Sequence, residues 1–416
     1  MKENRHLEFK EMITNTFLKT VSAFANYDGG VIIFGADDNG NFSGIENPES
    51  VCLDIENRIN DSISPQPEYT LDIGEKNTIE LTVFSGDKKP YMYKSKAYKR
   101  NDTATVEVDR AELTRLILAG SNMHYEELPA ENQKLTFCEL EKRLIAETGI
   151  DRCDINILKT LNLYSDKDGY NIAAALLADS NNYPGIDIGR FGESISVIRK
   201  RKTLDNISIL AEYEAACEIF RDYYQYEIIE GSLRKTKELI PEEAFRETVA
   251  NALIHRVWDV REQIRVFMFE DRIEVYSPGG LPEELSKEEY LAGNFSKLRN
   301  PIISNVFYRL RIVEIFGTGV RRIREAYKDS ANKPEFRVYE NSIKVVLPVM
   351  KSKNDLAGDE ADVYKLLSVE TGKPISDLVN RLPFGKSKTR EILNTLAEKG
   401  FVYISGSGRG TKYHRK

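Results

Sequence analysis

Tryptophan occurs once in this chain, histidine four times and cysteine four times among 416 residues. The cysteines, Cys52, Cys138, Cys153 and Cys217, form no C-x-x-C pair, which argues against a zinc knuckle and against a disulfide framework; reduced, buried thiols are expected. No stretch approaches the roughly 18–20 consecutive apolar residues of a membrane helix. The opening residues, Met1 to His6, lack a secretory apolar core, so a cytoplasmic protein without a membrane partner is expected. A Walker phosphate loop and a helicase motif set are also missing, which removes a helicase from consideration. What remains is globular composition, 41% hydrophobic and 30% charged, over a length that suits roughly three domains. A net charge of −7 argues against a histone-like wrapper but says nothing about local basic patches.

Apolar residues at near-helical spacing (Met12, Ile13, Phe17, Val21, Phe24, Ala25) predict an amphipathic helix over 12–27, stopped by Gly29 and Gly30. Val31–Phe34 is a short apolar strand, and Asp38-Asn39-Gly40-Asn41 supplies a turn that returns the chain at Phe42. Residues 125–235 read as mostly helical and carry no recognisable chemistry. Pro241 with Glu242 and Glu243 marks a helix start, and the helix runs to 256. Alternating runs at 264–269 and 272–276 form a hairpin around Glu270-Asp271. The Lys-, Asn-, Asp- and Gly-rich stretch at 349–360 is the best linker, placed at 351–360 between a central region and a C-terminal domain at 361–416.

In that last segment, helices at 363–368, 374–381 and 387–399 precede Phe401–Ile404, a glycine-rich tip at 406–410, and Lys412–His414. This is the order of a winged helix-turn-helix. From Pro383 onward eight cations oppose only Glu391 and Glu398, although the chain as a whole is acidic. Lys386, Lys388 and Arg390 open the expected recognition helix, and Arg409 and Lys412 flank the wing. Positive charge gathered there is what contact with DNA phosphates rewards.

At the other end stand Glu8-Phe9-Lys10, the run Ser22-Ala23-Phe24-Ala25-Asn26-Tyr27-Asp28-Gly29-Gly30, the strand to Phe34, Gly35-Ala36-Asp37-Asp38, and Gly44-Ile45. Ala97 to Thr103 adds a basic strand and turn. Together these resemble the Schlafen/AlbA-like nucleic-acid-binding domain, over about residues 3–118 and placed as a domain at 1–120. Between Lys88 and Arg100 six cations, Lys88, Lys89, Lys94, Lys96, Lys99 and Arg100, interleave with Tyr91, Tyr93 and Tyr98. That is the composition of a groove for single-stranded nucleic acid, DNA or RNA; the other reading is an edge strand decorated with lysine against self-association. Some members of that family are metal-dependent nucleases, and the resemblance places Glu3, Glu8 and Asp37 at the carboxylate positions that would hold the metal.

Between the ends, Glu247 and Asn251 stand one helical turn apart on one face, in the run Glu247-Thr248-Val249-Ala250-Asn251. Ser277-Pro278-Gly279-Gly280-Leu281-Pro282, Arg299-Asn300-Pro301 and Ile315-Phe316-Gly317-Thr318-Gly319 follow. This set resembles the divergent ATPase domain found behind Schlafen-like domains in bacterial transcriptional regulators, often labelled loosely as helicase-related, and is assigned to 121–350. That domain is similar to the gyrase/Hsp90/histidine-kinase ATPases, which implies an α/β sandwich binding ATP and Mg²⁺. The resemblance makes Glu247 the base that activates water and Asn251 the Mg²⁺ ligand. It brings Gly279 and Gly280 close to adenine, and sets Gly317, Thr318 and Gly319 at a phosphate-facing helix start. The family's adenine-binding aspartate is replaced by Ser277. His255 and Trp258 read as structural residues.

The sequence as a whole reads as a multidomain α/β protein: a Schlafen/AlbA-like domain, a central ATPase-like sandwich and a C-terminal winged helix. The expected function is a DNA-binding transcriptional regulator acting as a homodimer or higher homo-oligomer; the alternative is a Schlafen-like metal-dependent nuclease acting on RNA or single-stranded DNA, with phage defence as its setting.

Overall fold

A computed structural model describes residues 2–230, 233–282, 285–293, 297–314, 317–350, 358–368 and 371–415. The chain divides into two compact units, Met1–Tyr125 and Glu126–Lys416. Most of the expected linker, 351–357, and the pair Ile315-Phe316 lie outside the described residues.

In the first unit a four-stranded sheet runs in the order Leu7–Lys10, Gly30–Phe34, Ile79–Val83, Tyr69–Ile73. The first two strands are parallel, joined by the helix Phe17–Asn26; the remaining pairs are antiparallel. The helix starts later than the spacing predicted. Met12 is 69% exposed, and residues 14–16 form a turn whose carbonyls accept from the N–H groups of Phe17, Leu18 and Lys19 as the helix begins. From Phe17 onward nearly every side chain is buried. Phe17 meets Phe34 edge to face at 5.3 Å, within a core shared with Phe24, Ile32 and Leu81. Each such burial contributes roughly 1.5–3 kcal/mol. Gly29, at φ +73°, turns the chain from helix to strand in a conformation other residues adopt with strain. Asn26 explains why an amide closes the helix: its Nδ2 donates to the Tyr91 carbonyl and its Oδ1 accepts from the Tyr91 N–H.

The second unit is built on a six-stranded sheet. Its order is Ile198–Leu204, Ile186–Phe191, Ile264–Met268, Arg272–Pro278, Ser342–Pro348, Glu335–Val338. Two of these strands come from the stretch expected to be mostly helical. Helices do form there, at Cys138–Thr148, Ile155–Thr160, Ile172–Leu177 and Ile209–Tyr224, but Ile186–Phe191 pairs in parallel with Ile264–Met268 and brings Ile198–Leu204 with it. The second of these strands is exposed at every position except Leu204, so it has no apolar alternation by which to be recognised. The hairpin around Glu270-Asp271 forms as expected. Helix Glu242–His255 packs on Ile209–Tyr224 through stacked Phe220 and Phe245 rings, 4.5 Å apart.

The last helices are Asp359–Leu366, Ile375–Val379 and Lys386–Glu398, followed by the antiparallel strands Val402–Ser405 and Lys412–Arg415. Val363, Leu378, Leu393, Leu396 and Phe401 pack together in one buried cluster that also takes in Ala331. All four cysteines are free thiols, but only Cys217 is buried; Cys138 is exposed. Among the described residues no helix is long and apolar enough to cross a membrane.

Helix Pro301–Arg309 is anchored unusually. The buried Glu126 carboxylate accepts from the backbone N–H of Ile302 and of Ile303. Burial drives this carboxyl up to about 8, against the downward pull of those two donors. Glu212, also buried, is pushed up to about 9. Both groups hold their protons more tightly folded than unfolded. Their contribution is complete below about pH 4.5, the ordinary glutamate value, and is lost as pH rises through about 8 and 9. Urea unfolding midpoints at pH 5, 7 and 9 should therefore fall, and Glu126→Gln should flatten the part of that fall between pH 5 and 8. An identical pH dependence in the variant would remove Glu126 as its source.

Candidate functional site

One cleft of about 1110 Å³, including its open mouth, draws its walls from the helix Glu242–His255, the turn after strand Arg272–Pro278 and the start of helix Gly319–Ala326. Glu247, Asn251, Ser277, Gly279, Gly280, Gly317 and Gly319 all line it. Thr318 precedes the last helix as its N-cap and makes no side-chain capping bond.

The i, i+4 spacing of Glu247 and Asn251 brings their ends together: Asn251 Nδ2 donates to Glu247 Oε1 at 3.0 Å. Glu247 is 8% exposed, and burial raises its carboxyl above the usual range while Asn251 and the Arg322 charge pull it down. Gly319 presses against this pair. A Cβ there would lie 2.6 Å from both Asn251 Nδ2 and Glu247 Oε1, so the backbone approaches the two polar groups with no room for a side chain. On the opposite wall a Cβ at Gly280 would meet the Glu340 carbonyl at 2.2 Å. The Ser277 hydroxyl donates its one proton to the Ala252 carbonyl at 3.1 Å, which leaves it only lone pairs to offer elsewhere.

The Arg299-Asn300-Pro301 motif has a structural task that its composition alone does not reveal. Arg299 donates to the His255 carbonyl at 2.6 Å and the Gly280 carbonyl at 2.9 Å, tying the helix end to the glycine turn. Asn300 Nδ2 donates to the carbonyls of Ile254 and Arg256. The motif is a staple that sets the width of the cleft. Its signal was an arginine and an amide immediately before a proline at a helix start. His255 lines the cleft, and burial beside Arg299 lowers its imidazole to about 4, so it is neutral at physiological pH. Trp258 is 2% exposed and packs on Arg256 and Tyr183.

At the amino-terminal end the expected residues are arranged differently. Glu8 is buried and accepts from Thr20 at 2.7 Å, Lys10 at 2.6 Å and Arg100 at 2.5 Å. Glu3 accepts from the Phe9 N–H at 2.8 Å, and Asp37 accepts from Asn39 and Asn41, closing its turn. Each carboxylate thus has structural partners, and no metal-ligating group of three or more acidic, histidine or cysteine side chains occurs among the described residues. The cationic stretch needs correction too. Arg100 is 9% exposed and neutralised by Glu8, while Tyr91, Tyr93 and Tyr98 lie in the core, so neither that charge nor those rings face a groove. Lys96 pairs with Glu107 and Lys99 with Glu112; Lys88 and Lys94 are exposed, and Lys89 is half-buried.

The Schlafen, AlbA_2 family model matches residues 3–109, the sheet and helix just described. Residues 3–109 are a Schlafen/AlbA-like domain. A second family model, described as "Putative ATP-dependent DNA helicase recG C-terminal", matches residues 261–347. That stretch holds both glycine turns of the cleft, and it begins after the helix that carries Glu247 and Asn251. Among solved structures, the DIP2311 protein from Corynebacterium diphtheriae shares 20% identity with a TM-score of 0.51, over 99% of this chain and 92% of that one. At that identity the likeness concerns the fold alone. No curated protein matches the chain.

The remaining expected cations sit at the carboxyl-terminal end, outside both matched stretches. Lys386, Lys388 and Arg390 are exposed on the first turns of helix Lys386–Glu398, and Lys412 is exposed on the last strand. Lys388 pairs with Asp359 and stands 5.0 Å from the Phe384 ring, whereas Lys386 and Arg390 have no acidic partner among the described residues. The Arg409 side chain lies outside the described residues.

Proposed function

We propose that this protein is a DNA-binding transcriptional regulator whose central cleft binds ATP with Mg²⁺. The observation that carries the reading is the meeting of Glu247, Asn251 and the bare Gly319 backbone in one cleft. The donor set fits the ligand. The Asn251 carbonyl is a hard oxygen of the kind Mg²⁺ takes, and the start of helix Gly319–Ala326 directs backbone N–H groups where phosphates would lie. Bound Mg²⁺ would supply neutralisation of phosphate charge. Glu247, oriented by Asn251 and held in a water-poor setting that raises its proton affinity, is the group suited to take a proton from water. Ser277, with its proton committed to Ala252, acts as an acceptor, which favours a base carrying an amino group on its edge.

The carboxyl-terminal helices and hairpin support a winged helix. An isolated antiparallel bridge between Lys373 and Tyr413 ties the second helix's approach to the hairpin, and the exposed cations stand at the start of the third helix. Ordered contacts with phosphates at that point would hold the helix against DNA. The test is Lys386→Glu with Arg390→Glu, measured by fluorescence anisotropy on duplex DNA across a salt series. The slope of log affinity against log salt should become shallower by about 2. An unchanged affinity and slope would reject this surface.

A further inference from the structure

The strand Ile198–Leu204 forms the edge of the six-stranded sheet, and its outer row of backbone N–H and C=O groups is paired with no other described strand. Arg199, Lys200, Arg201 and Lys202 follow one another along it. Successive side chains point to opposite faces. On one face the charges are already met: Arg199 pairs with Glu270 at 2.9 Å and Arg201 with Asp187 at 2.8 Å. On the other, Lys200 stands opposite Arg190 and Lys202 opposite Ile188, and neither lysine has an acidic partner among the described residues. Just before them Ile195, Val197 and Ile198 are 60%, 51% and 61% exposed.

Lysines on an edge strand serve elsewhere to keep sheets apart, and that explains the charge. It does not explain three branched apolar side chains held in water beside it. A nucleic acid would use the cations and leave both the apolar cluster and the open backbone uncovered. Antiparallel pairing with a second copy would set cation against cation. We infer that this edge accepts an extended acidic segment of a partner protein as an added strand, with carboxylates opposite Lys200 and Lys202 and apolar residues against Ile195, Val197 and Ile198. The inference is independent of the nucleotide and DNA readings.

The test uses the full chain and a fluorescein-labelled peptide of alternating glutamate and threonine closed by two valines. Anisotropy should report saturable binding, weakened about tenfold or more by Lys200→Glu with Lys202→Glu. Methylating alternate backbone nitrogens of the peptide leaves its charge intact and should weaken binding as strongly, because added strands depend on main-chain hydrogen bonds. Failure of the wild type to bind overturns the proposal. So does indifference to N-methylation, which would reduce it to charge attraction. A single-stranded oligonucleotide whose own affinity falls in the lysine variant would reassign the edge to nucleic acid, and a wild-type dimer that the variant dissolves would reassign it to a second copy.

Discussion

Glu8→Ala should cost the amino-terminal unit about 3–5 kcal/mol, because it strands the Arg100 guanidinium without its counter-charge in a buried setting. Arg100 would keep hydrogen bonds to Thr105 and the Asn4 carbonyl and its place over the Phe24 ring, none of them a counter-charge. Thr20 and Lys10 would lose an acceptor as well. The check is denaturant unfolding of the variant beside Glu8→Ala with Arg100→Met. The double replacement removes both charges, so it should recover a large part of the loss. A single variant as stable as the wild type would mean that Glu8 is not an anchor of the fold. Any effect of Glu8→Ala on nuclease activity would have to be separated from this loss of structure. Glu3→Gln is the more informative variant there, since Glu3 makes one backbone bond at the edge of the unit.

Gly319→Val should abolish nucleotide binding while leaving the fold standing. Its branched carbons would enter the space held by Asn251 Nδ2 and Glu247 Oε1 and drive the pair out of register. Gly319 does not adopt a positive φ and sits at a helix start, so the replacement meets no backbone strain. Any residual ATP turnover should drop by about a hundredfold, the scale expected when a catalytic group moves by about an ångström. Circular dichroism and thermal unfolding should stay close to the wild type. Wild-type nucleotide affinity in this variant would mean that the ligand does not approach the Glu247 and Asn251 pair.

The parts of this site that could be read from sequence were those fixed by local geometry. Glu247 and Asn251 meet because four residues make about one helical turn, and Gly279, Gly280, Gly317 and Gly319 announce close backbone approach by their lack of a side chain. What stayed hidden depends on contacts between distant positions. Glu8 and Arg100 are 92 residues apart, and nothing in either neighbourhood indicates that a carboxylate that looked like a metal ligand and a cation that looked like a phosphate contact neutralise each other. Tyr91, Tyr93 and Tyr98 interleave with lysines, a pattern shared by a wet groove and a half-buried strand; only the packed core shows that the rings are buried. The strand Ile198–Leu204 was missed for the opposite reason. It is an edge, so its composition is set by solvent and not by a core.

Isothermal titration of ATP with Mg²⁺ into the full-length protein, with Asn251→Ala as the paired control, bears on the cleft without intermediaries. Saturable binding at one nucleotide per chain, lost in the control, is what the convergence of Glu247, Asn251 and Gly319 leads us to expect. A flat titration from wild-type protein whose circular dichroism shows it to be folded would contradict it.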